Sequence, residues 1–411
     1  MWDILDLSLS YFCSMQHLST RSLFFENLAL TSDFPMELEI ESASGFYLYA
    51  PDGKRYADLI SGISVSNLGH QHPAVKKAIH DQTEKFLHLM VYGEYIQAPQ
   101  VAYAALLAST LPPPLSSVYF TNSGAEAIDG AMKLVKRATG RTGLISCYNA
   151  YHGSTQGPLS LMGCEHYKQA FRPLLPGTTH IRFNNTDDLS MITTDTAGVF
   201  IEAVQAEAGC IVPDTDYMIA LSERCRQTGT LLVIDEIQSG MGRTGKTWAF
   251  EHFGILPDVV CTAKSLGGGL PLGAFIGSSY LMQQLRRNPI LGHITTFGGN
   301  ALCCAAGMAC LQTILDENLA SHALQLETLV RNELSHPSVN AITGKGLLLC
   351  AHVNDNPTAL RIIREGFQLG IVTDWFLFCD NALRIAPPLN TTEEELSAAL
   401  LLLRKAMDLA G

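Results

Sequence analysis

Three segments of the chain combine residue types that could do chemistry together. The first, TNSGAEA at 121–127, follows a short apolar run and opens a helical pattern. The amides of Ser123, Gly124 and Ala125 then face whatever sits above the preceding strand. A helix N-terminus of this kind offers unpaired N–H donors and a positive dipole end to an anion. Alone, the segment also reads as an ordinary turn and helix cap. The second, LLVIDEIQ at 231–238, ends an apolar strand in Asp235. That puts a carboxylate at the sheet edge where ligands of open α/β sheets bind, although an aspartate there also caps a turn. The third, CTAKSLGGGLPLGA at 261–274, ends another apolar strand in Lys264, ahead of three consecutive glycines. A buried lysine is costly unless paired or neutral, and a neutral amine is a nucleophile. The plainer alternative is a lysine whose head reaches solvent.

One cofactor needs all three features. Pyridoxal phosphate requires a lysine amine for its Schiff base, a carboxylate for its pyridinium nitrogen and a helix N-terminus for its phosphate. The carboxylate keeps the ring protonated, so that the ring can accept electron density from a substrate carbanion.

From about residue 36 to its end the chain resembles the class III (ω-type) aminotransferases of the fold-type I group. That group includes ornithine, acetylornithine and 4-aminobutyrate aminotransferases. The likeness is carried by SGISVSNLGHQHPAV (61–75), NSGAEA (122–127), YHG (151–153), EAVQAEAG (202–209), VIDEIQSGMGRTG (233–245), AKSLGGGLPLGA (263–274), TTFGGNAL (295–302) and LRIAPPL (383–389). The resemblance implies Lys264 as the Schiff-base lysine and proton shuttle, with Asp235 on the ring nitrogen and Gln238 at the ring hydroxyl. It implies Tyr151 and Ile237 on opposite faces of the ring, with His152 and Glu202 also at the cofactor. Ser123, Gly124 and Ala125 would hold the phosphate, and Thr296 would reach it from a second subunit of a homodimer. Arg384 matches an arginine that takes a substrate carboxylate in a planar bidentate pair, and Glu207 a glutamate that gates it. Ile63 falls at a substrate-gating position. Where relatives often carry Arg after the His-Gly and Asn after NSGAEA, this chain has Ser154 and Ile128, and EAVQAEAG replaces the commoner E-P-x-Q-G-E. These departures bear on the substrate and leave the cofactor set intact.

The implied reaction is a ping-pong amino transfer from an amino acid or ω-amine to a 2-oxo acid such as 2-oxoglutarate. A mutase or decarboxylase using the same cofactor is the alternative.

Such a site needs strands that end side by side. The stretches 118–121, 144–147, 180–183, 199–204, 231–235, 259–263 and 274–277 read as strands, apolar enough to be covered on both faces. Helical patterns at 125–139 and 217–227 lie between them, followed by Gly140 and Gly229 as C-caps. The expectation is an α/β fold, with a mostly parallel seven-stranded sheet between helices and a smaller α+β domain. Residues 66–310 would form the large domain, and 1–65 with 311–411 the small one. Pro51-Asp52-Gly53 predicts a hairpin turn, and Thr392-x-x-Glu395 a capping box for a last helix through Met407.

Bulk properties narrow the class. With 411 residues, 47% hydrophobic and 16% charged, the chain is long enough for two folded domains. A net charge of −12, with no Lys/Arg run, argues against nucleic acid and anionic membranes as partners. Eleven cysteines without a C-x-x-C point to reduced thiols and a cytoplasmic location. Residues 1–22 lack the pattern of a secretory signal, and no apolar run is of membrane-spanning length. Two further motifs carry little weight. Gly240–Thr247 (GMGRTGKT) fits a P-loop, yet four residues separate it from its strand and only a short apolar stretch follows. His70 and His72 lack a third metal ligand nearby, so no metal is expected.

Overall fold

The computed structural model describes residues 19–411. The expectation about residues 1–18 therefore lies outside the described residues. Chain order gives β1 (Ser42–Ser44), β2 (Tyr47–Tyr49) and β3 (Arg55–Asp58), with the turn at Pro51-Asp52-Gly53 joining the last two. The central strands are β4 (Leu115–Thr121), β5 (Gly143–Cys147), β6 (Thr178–Ile181), β7 (Thr196–Glu202), β8 (Leu231–Asp235), β9 (Val259–Thr262) and β10 (Gly273–Ser278). The last four are β11 (Ala341–Lys345), β12 (Leu348–His352), β13 (Ile371–Val372) and β14 (Ala382–Ile385).

Strands β4 to β10 form one seven-stranded sheet in the order β4-β10-β9-β8-β7-β5-β6. The neighbours β9, β8, β7, β5 and β6 run parallel, and only β10 is reversed, pairing antiparallel with both β9 and β4. Residues of β7 are buried throughout, as a strand covered on both faces requires. The helix Gly124–Thr139 packs on β9 and β10. Ser123 starts it, its hydroxyl accepting the Glu126 amide, and Gly140 stops it in the left-handed conformation. Gly229 closes the helix Thr215–Thr228 in the same way.

Two smaller sheets use both ends of the chain. In one, β1, β2 and β3 join β13, which pairs in parallel with β3. In the other, β11, β12 and β14 are antiparallel. Cys350 on β12 sits in register between Thr343 on β11 and Arg384 on β14. The capping box at Thr392 and Glu395 is formed, and its helix runs from Glu393 to Ala410, three residues beyond the Met407 expected from the sequence.

The segment Gly240–Thr247 is a series of turns followed by the short 3₁₀ helix Ala249–Phe253. Arg243 within it is fully buried and donates to Asn67 Oδ1 and to the carbonyls of Leu347 and Pro387. Its role is to tie distant segments together. With no long helix opening behind it, the loop lacks the phosphate cradle of a P-loop. His70 meets a carboxylate, Asp58, at 2.8 Å. Among the described residues, no helix is long and apolar enough to cross a membrane.

Candidate active site

A cavity of about 430 Å³ opens above the C-terminal ends of β7, β8 and β9. The parallel strands deliver their last side chains to one edge, which brings Glu202, Asp235 and Lys264 together from segments far apart in sequence.

Asp235 lies at the end of β8 and is buried. Its Oδ2 accepts from His152 Nδ1 at 2.7 Å and its Oδ1 from the Ile237 amide at 2.9 Å. Two donors fix the carboxylate in one orientation. His152 is buried and its other nitrogen, Nε2, has no partner among the described residues. Glu202, at the end of β7, accepts weakly from the Tyr151 amide at 3.3 Å and the Ala206 amide at 3.4 Å. Burial, reinforced by the neighbouring Asp235 charge, holds its carboxyl well above the usual range.

Lys264 follows β9 in a left-handed backbone conformation, φ +52°, a strained setting for a side chain with a Cβ. Its Nζ donates to Gln238 Oε1 at 3.0 Å, while Gln238 Nε2 is buried without a partner. Burial pushes the lysine amine down to about 8, opposed by the charge of Glu207. The site thus supplies an amine poised to shed its proton, with a carboxylate across the cavity.

The anion end is built at the start of the helix Gly124–Thr139. Ser123 caps it, and Asn122 is held by Glu126 Oε2, which accepts from both its backbone and its side chain at 2.8 Å. Gly124 lets Ile237 pack closely over the helix start: a Cβ there would fall 2.7 Å from Ile237 Cδ1. Tyr151 and Ile237 line the same cavity, with Ser154 beside the tyrosine hydroxyl at 3.1 Å.

These observations test the fit of a phosphorylated aldehyde cofactor. The unpartnered His152 Nε2 and Gln238 Nε2, the first-turn amides beside Ser123 and the poised Lys264 amine all front one cavity. Polar groups so placed match a ligand carrying a phosphate, ring heteroatoms and an aldehyde.

Four expected residues do not line this cavity. Arg384 is buried, its Nε donating to Asp374 Oδ1 at 2.7 Å and its Nη2 standing 3.4 Å from Glu207 Oε1. The guanidinium also lies 4.1 Å from the centre of the Phe376 ring. Burial alone would lower its pKa, but Glu207 and Asp374 hold it above the ordinary value. Thr296 is exposed, its hydroxyl 3.5 Å from Tyr92 Oη. Ile63 packs with Tyr56, Ile60 and Val372. It belongs to a rare left-handed turn, Ser61–Ser64, with φ values of +50°, +61°, +61° and +64°. Asp58 supports the entry to this turn, its Oδ1 accepting the Ile60 and Ser61 amides. Val65, just beyond the turn, reaches the cavity instead.

Sequence reasoning also missed Asp374 and Glu236. Asp374 lies between β13 and β14 with no motif to mark it. Glu236 adjoins Asp235 but turns away, accepting from Ser239 Oγ and the Phe250 amide at 2.8 Å each. A second acid directly after a strand-end aspartate was its only signal.

Residues 30–407 match the family model described as aminotransferase class-III. The chain belongs to the class III aminotransferase family. It is 38% identical to the acetylornithine aminotransferase of Methanopyrus kandleri, over 92% of this chain and 96% of that protein. The acetylornithine aminotransferase of Bacillus subtilis is 37% identical, over 90% and 95%. In three dimensions it resembles the ornithine aminotransferase of Toxoplasma gondii, with a TM-score of 0.88, 27% identity and 97% of each chain covered. A second structure of that enzyme, described as having partial occupancy of PLP at its active site, gives a TM-score of 0.87 at 27% identity, over 97% of this chain and 96% of that one. The family fixes the fold as fold-type I, the activity as amino-group transfer and the cofactor as pyridoxal 5′-phosphate.

Proposed function

We propose that this class III aminotransferase moves an amino group from an ornithine-, acetylornithine- or 4-aminobutyrate-like donor to 2-oxoglutarate, in two half-reactions sharing one site. The observation that carries this reading is the convergence of Lys264, the Asp235–His152 pair and the Ser123 helix start on one cavity. The acetylornithine aminotransferases at 37–38% identity support the donor class.

Bound pyridoxal phosphate supplies an aldehyde that accepts the amino group and a ring that takes up electron density. Ser123, Gly124 and Ala125 bind its phosphate through hydroxyl and amide donors. Asp235, oriented by His152, holds the proton on the ring nitrogen. Gln238, Tyr151, Ile237 and Glu202, which line the same cavity, would hold the ring, with Gln238 the donor for its hydroxyl. Lys264 would anchor the cofactor through its amine, and the same Nζ, when free, would serve as the proton carrier of the site. Its lowered pKa suits that role.

Arg384 takes the carboxylate of the oxo acid when Glu207 swings aside, and pairs with Glu207 when a donor without that carboxylate is bound. Ile63 is assigned to substrate gating although it does not line the cavity. The enzyme acts as a homodimer in the cytoplasm, with Thr296 completing the phosphate site of the opposite subunit. Exposed apolar side chains such as Ile96, Ile290 and Phe297 support such an interface. We assign residues 66–310 to the large domain, and the described part of 1–65 together with 311–411 to the small one.

The test is a visible spectrum of the purified protein before and after L-glutamate. Conversion of the bound cofactor to its amine form supports glutamate as the partner of the second half-reaction. A spectrum that glutamate leaves unchanged, while another amino donor alters it, overturns that assignment.

A further inference from the structure

Away from the cavity, on the sheet β11-β12-β14, two cysteines and a histidine converge. Cys350 and His352 lie two residues apart on β12 and so project from the same face. Cys379 comes from the segment between β13 and β14. One ligand atom from each of the three lies within 4.8 Å of the other two. Cys350 Sγ is 3.4 Å from His352 Nε2, and Cys379 Sγ is 3.7 Å from His352 Nδ1.

The surroundings prepare these groups as ligands. Thr343 Oγ1 donates to the Gly209 carbonyl at 2.6 Å, so it can only accept from His352 Nε2, at 2.8 Å. That fixes the proton on Nε2 and leaves the lone pair on Nδ1, on the side of Cys379. Asn381 Nδ2 donates to the Val353 carbonyl at 3.1 Å, which turns Oδ1 towards Cys379 Sγ, 3.5 Å away. Gly209 leaves the space open: a Cβ there would fall 3.0 Å from Cys379 Sγ and 3.1 Å from His352 Cε1. Cys350 is buried, whereas His352 and Cys379 are partly exposed, so an ion has a way in.

We propose that Cys350, His352 and Cys379 bind one thiophilic cation of the zinc class, with Asn381 Oδ1 or water in the fourth position. Bonds of about 2.3 Å to sulfur and about 2.0 Å to nitrogen place tetrahedral ligand atoms about 3.5–3.8 Å apart. The ligand atoms lie within 4.8 Å of one another, and because Cys350 Sγ stands nearest Nε2, closing onto an ion held by Nδ1 takes a rotation of the Cys350 and His352 side chains. Two thiolates neutralise a divalent cation, and their protons pass to solvent as it binds.

The position gives the ion a structural consequence. Cys350 stands opposite Arg384 in the β12–β14 register. The segment carrying Cys379 also supplies the Leu377 amide to Glu207 Oε2 and the Phe378 amide to the Glu207 carbonyl. A bound cation therefore staples to β12 the stretch on which Glu207 leans.

The experiment uses the full-length holoenzyme, purified without chelator or metal-affinity tag, and measures metal content and zinc(II) affinity. One zinc per chain is expected, and cobalt(II) in its place is expected to give thiolate-to-metal absorption. Cys379→Ser should weaken zinc binding at least about 100-fold, the upper end of the loss seen when a site loses even an outer partner. Cys164→Ser should leave binding unchanged. Cys350→Ser is the second ligand variant, and Cys379→Ser, at a partly exposed position, keeps the test open if Cys350→Ser fails to fold. Absence of zinc uptake, equal affinity in Cys379→Ser, or a Cys350–Cys379 disulfide in the isolated protein would each overturn the proposal.

Discussion

His152 Nδ1 and Asp235 Oδ2 stand 2.7 Å apart in a pocket that excludes solvent from both side chains. The imidazole N–H leaves the carboxylate one rotamer, aimed at the cavity. Asp235→Asn keeps the shape but removes the charge that holds a proton on the ring nitrogen. Turnover should fall about 10²–10³-fold, the usual loss when one preorganised electrostatic partner is removed. Steady-state kinetics checks this, and a variant within a few-fold of wild type would remove Asp235 from its proposed role.

Lys264→Ala should fold, because the side chain faces the cavity and ends in a single hydrogen bond to Gln238. With the proton carrier gone, the half-reaction should slow by at least about 10²–10⁴-fold. Stopped-flow absorbance with L-glutamate reads this directly. Near-normal rates would sink the assignment.

The pH dependence follows from the same amine. Burial pushes it down to about 8, whereas an exposed lysine titrates near about 10.4. Between those values the unfolded chain carries more protons than the folded one, so this group makes the cofactor-free protein more stable as pH rises through the window. Below about 8 its destabilising effect is complete. Urea titrations of wild type and Lys264→Met across the window isolate this contribution. Identical pH slopes for the two proteins would contradict it.

Arg384→Ala strands two carboxylates, Glu207 and Asp374, in the space the guanidinium filled. Breaking a buried ion pair on one side costs about 3–5 kcal/mol, so the urea midpoint should drop. In activity, the KM for 2-oxoglutarate should rise about 10–100-fold, the equivalent of one lost charge-assisted contact. A monoamine donor should be affected far less. Equal losses for acceptor and monoamine would show that Arg384 acts through stability alone.

Thr296→Ala tests the shared site. Losing one hydrogen bond to a phosphate should weaken cofactor binding about 10–100-fold. In hybrids that pair a Thr296→Ala subunit with a Lys264→Ala subunit, one composite site carries both changes and the other neither. Half the wild-type activity is expected there, whereas a site confined to one chain would show only the weakened binding of the Thr296→Ala subunit.

Much of this architecture was legible because strand chemistry is local. The apolar run ending in Asp235 marks β8 to the residue, and Ser123 and Gly140 mark both ends of the helix behind the anion site. The strand expected at 180–183 lies two residues earlier, at Thr178–Ile181, where pairing with β5 sets its limits and local composition does not. The reversal of β10 is invisible in its apolar residues, since direction depends on its partners β9 and β4. Asp374 was missed for a similar reason. It becomes a partner of Arg384 only when the segment after β13 folds back, and no periodicity records that contact. Val65 reaches the cavity because the preceding left-handed turn redirects the chain, a geometry that its non-glycine members Ser61, Ile63 and Ser64 disguise.

The buried Arg243 fixes the order in which the enzyme can be completed. Its guanidinium is shared among Asn67, Leu347 and Pro387, which enter the growing chain at widely separated times. While the chain is being made, the loop beside Asp235 waits with a desolvated charge only partly satisfied, until Leu347 and then Pro387 have been added. Competence to hold the cofactor is then a late event of biosynthesis, and ribosome-stalled chains ending short of Pro387 should remain protease-sensitive around Gly240–Thr247. Protection of that loop in such chains would show that the rest of the large sheet suffices to settle it.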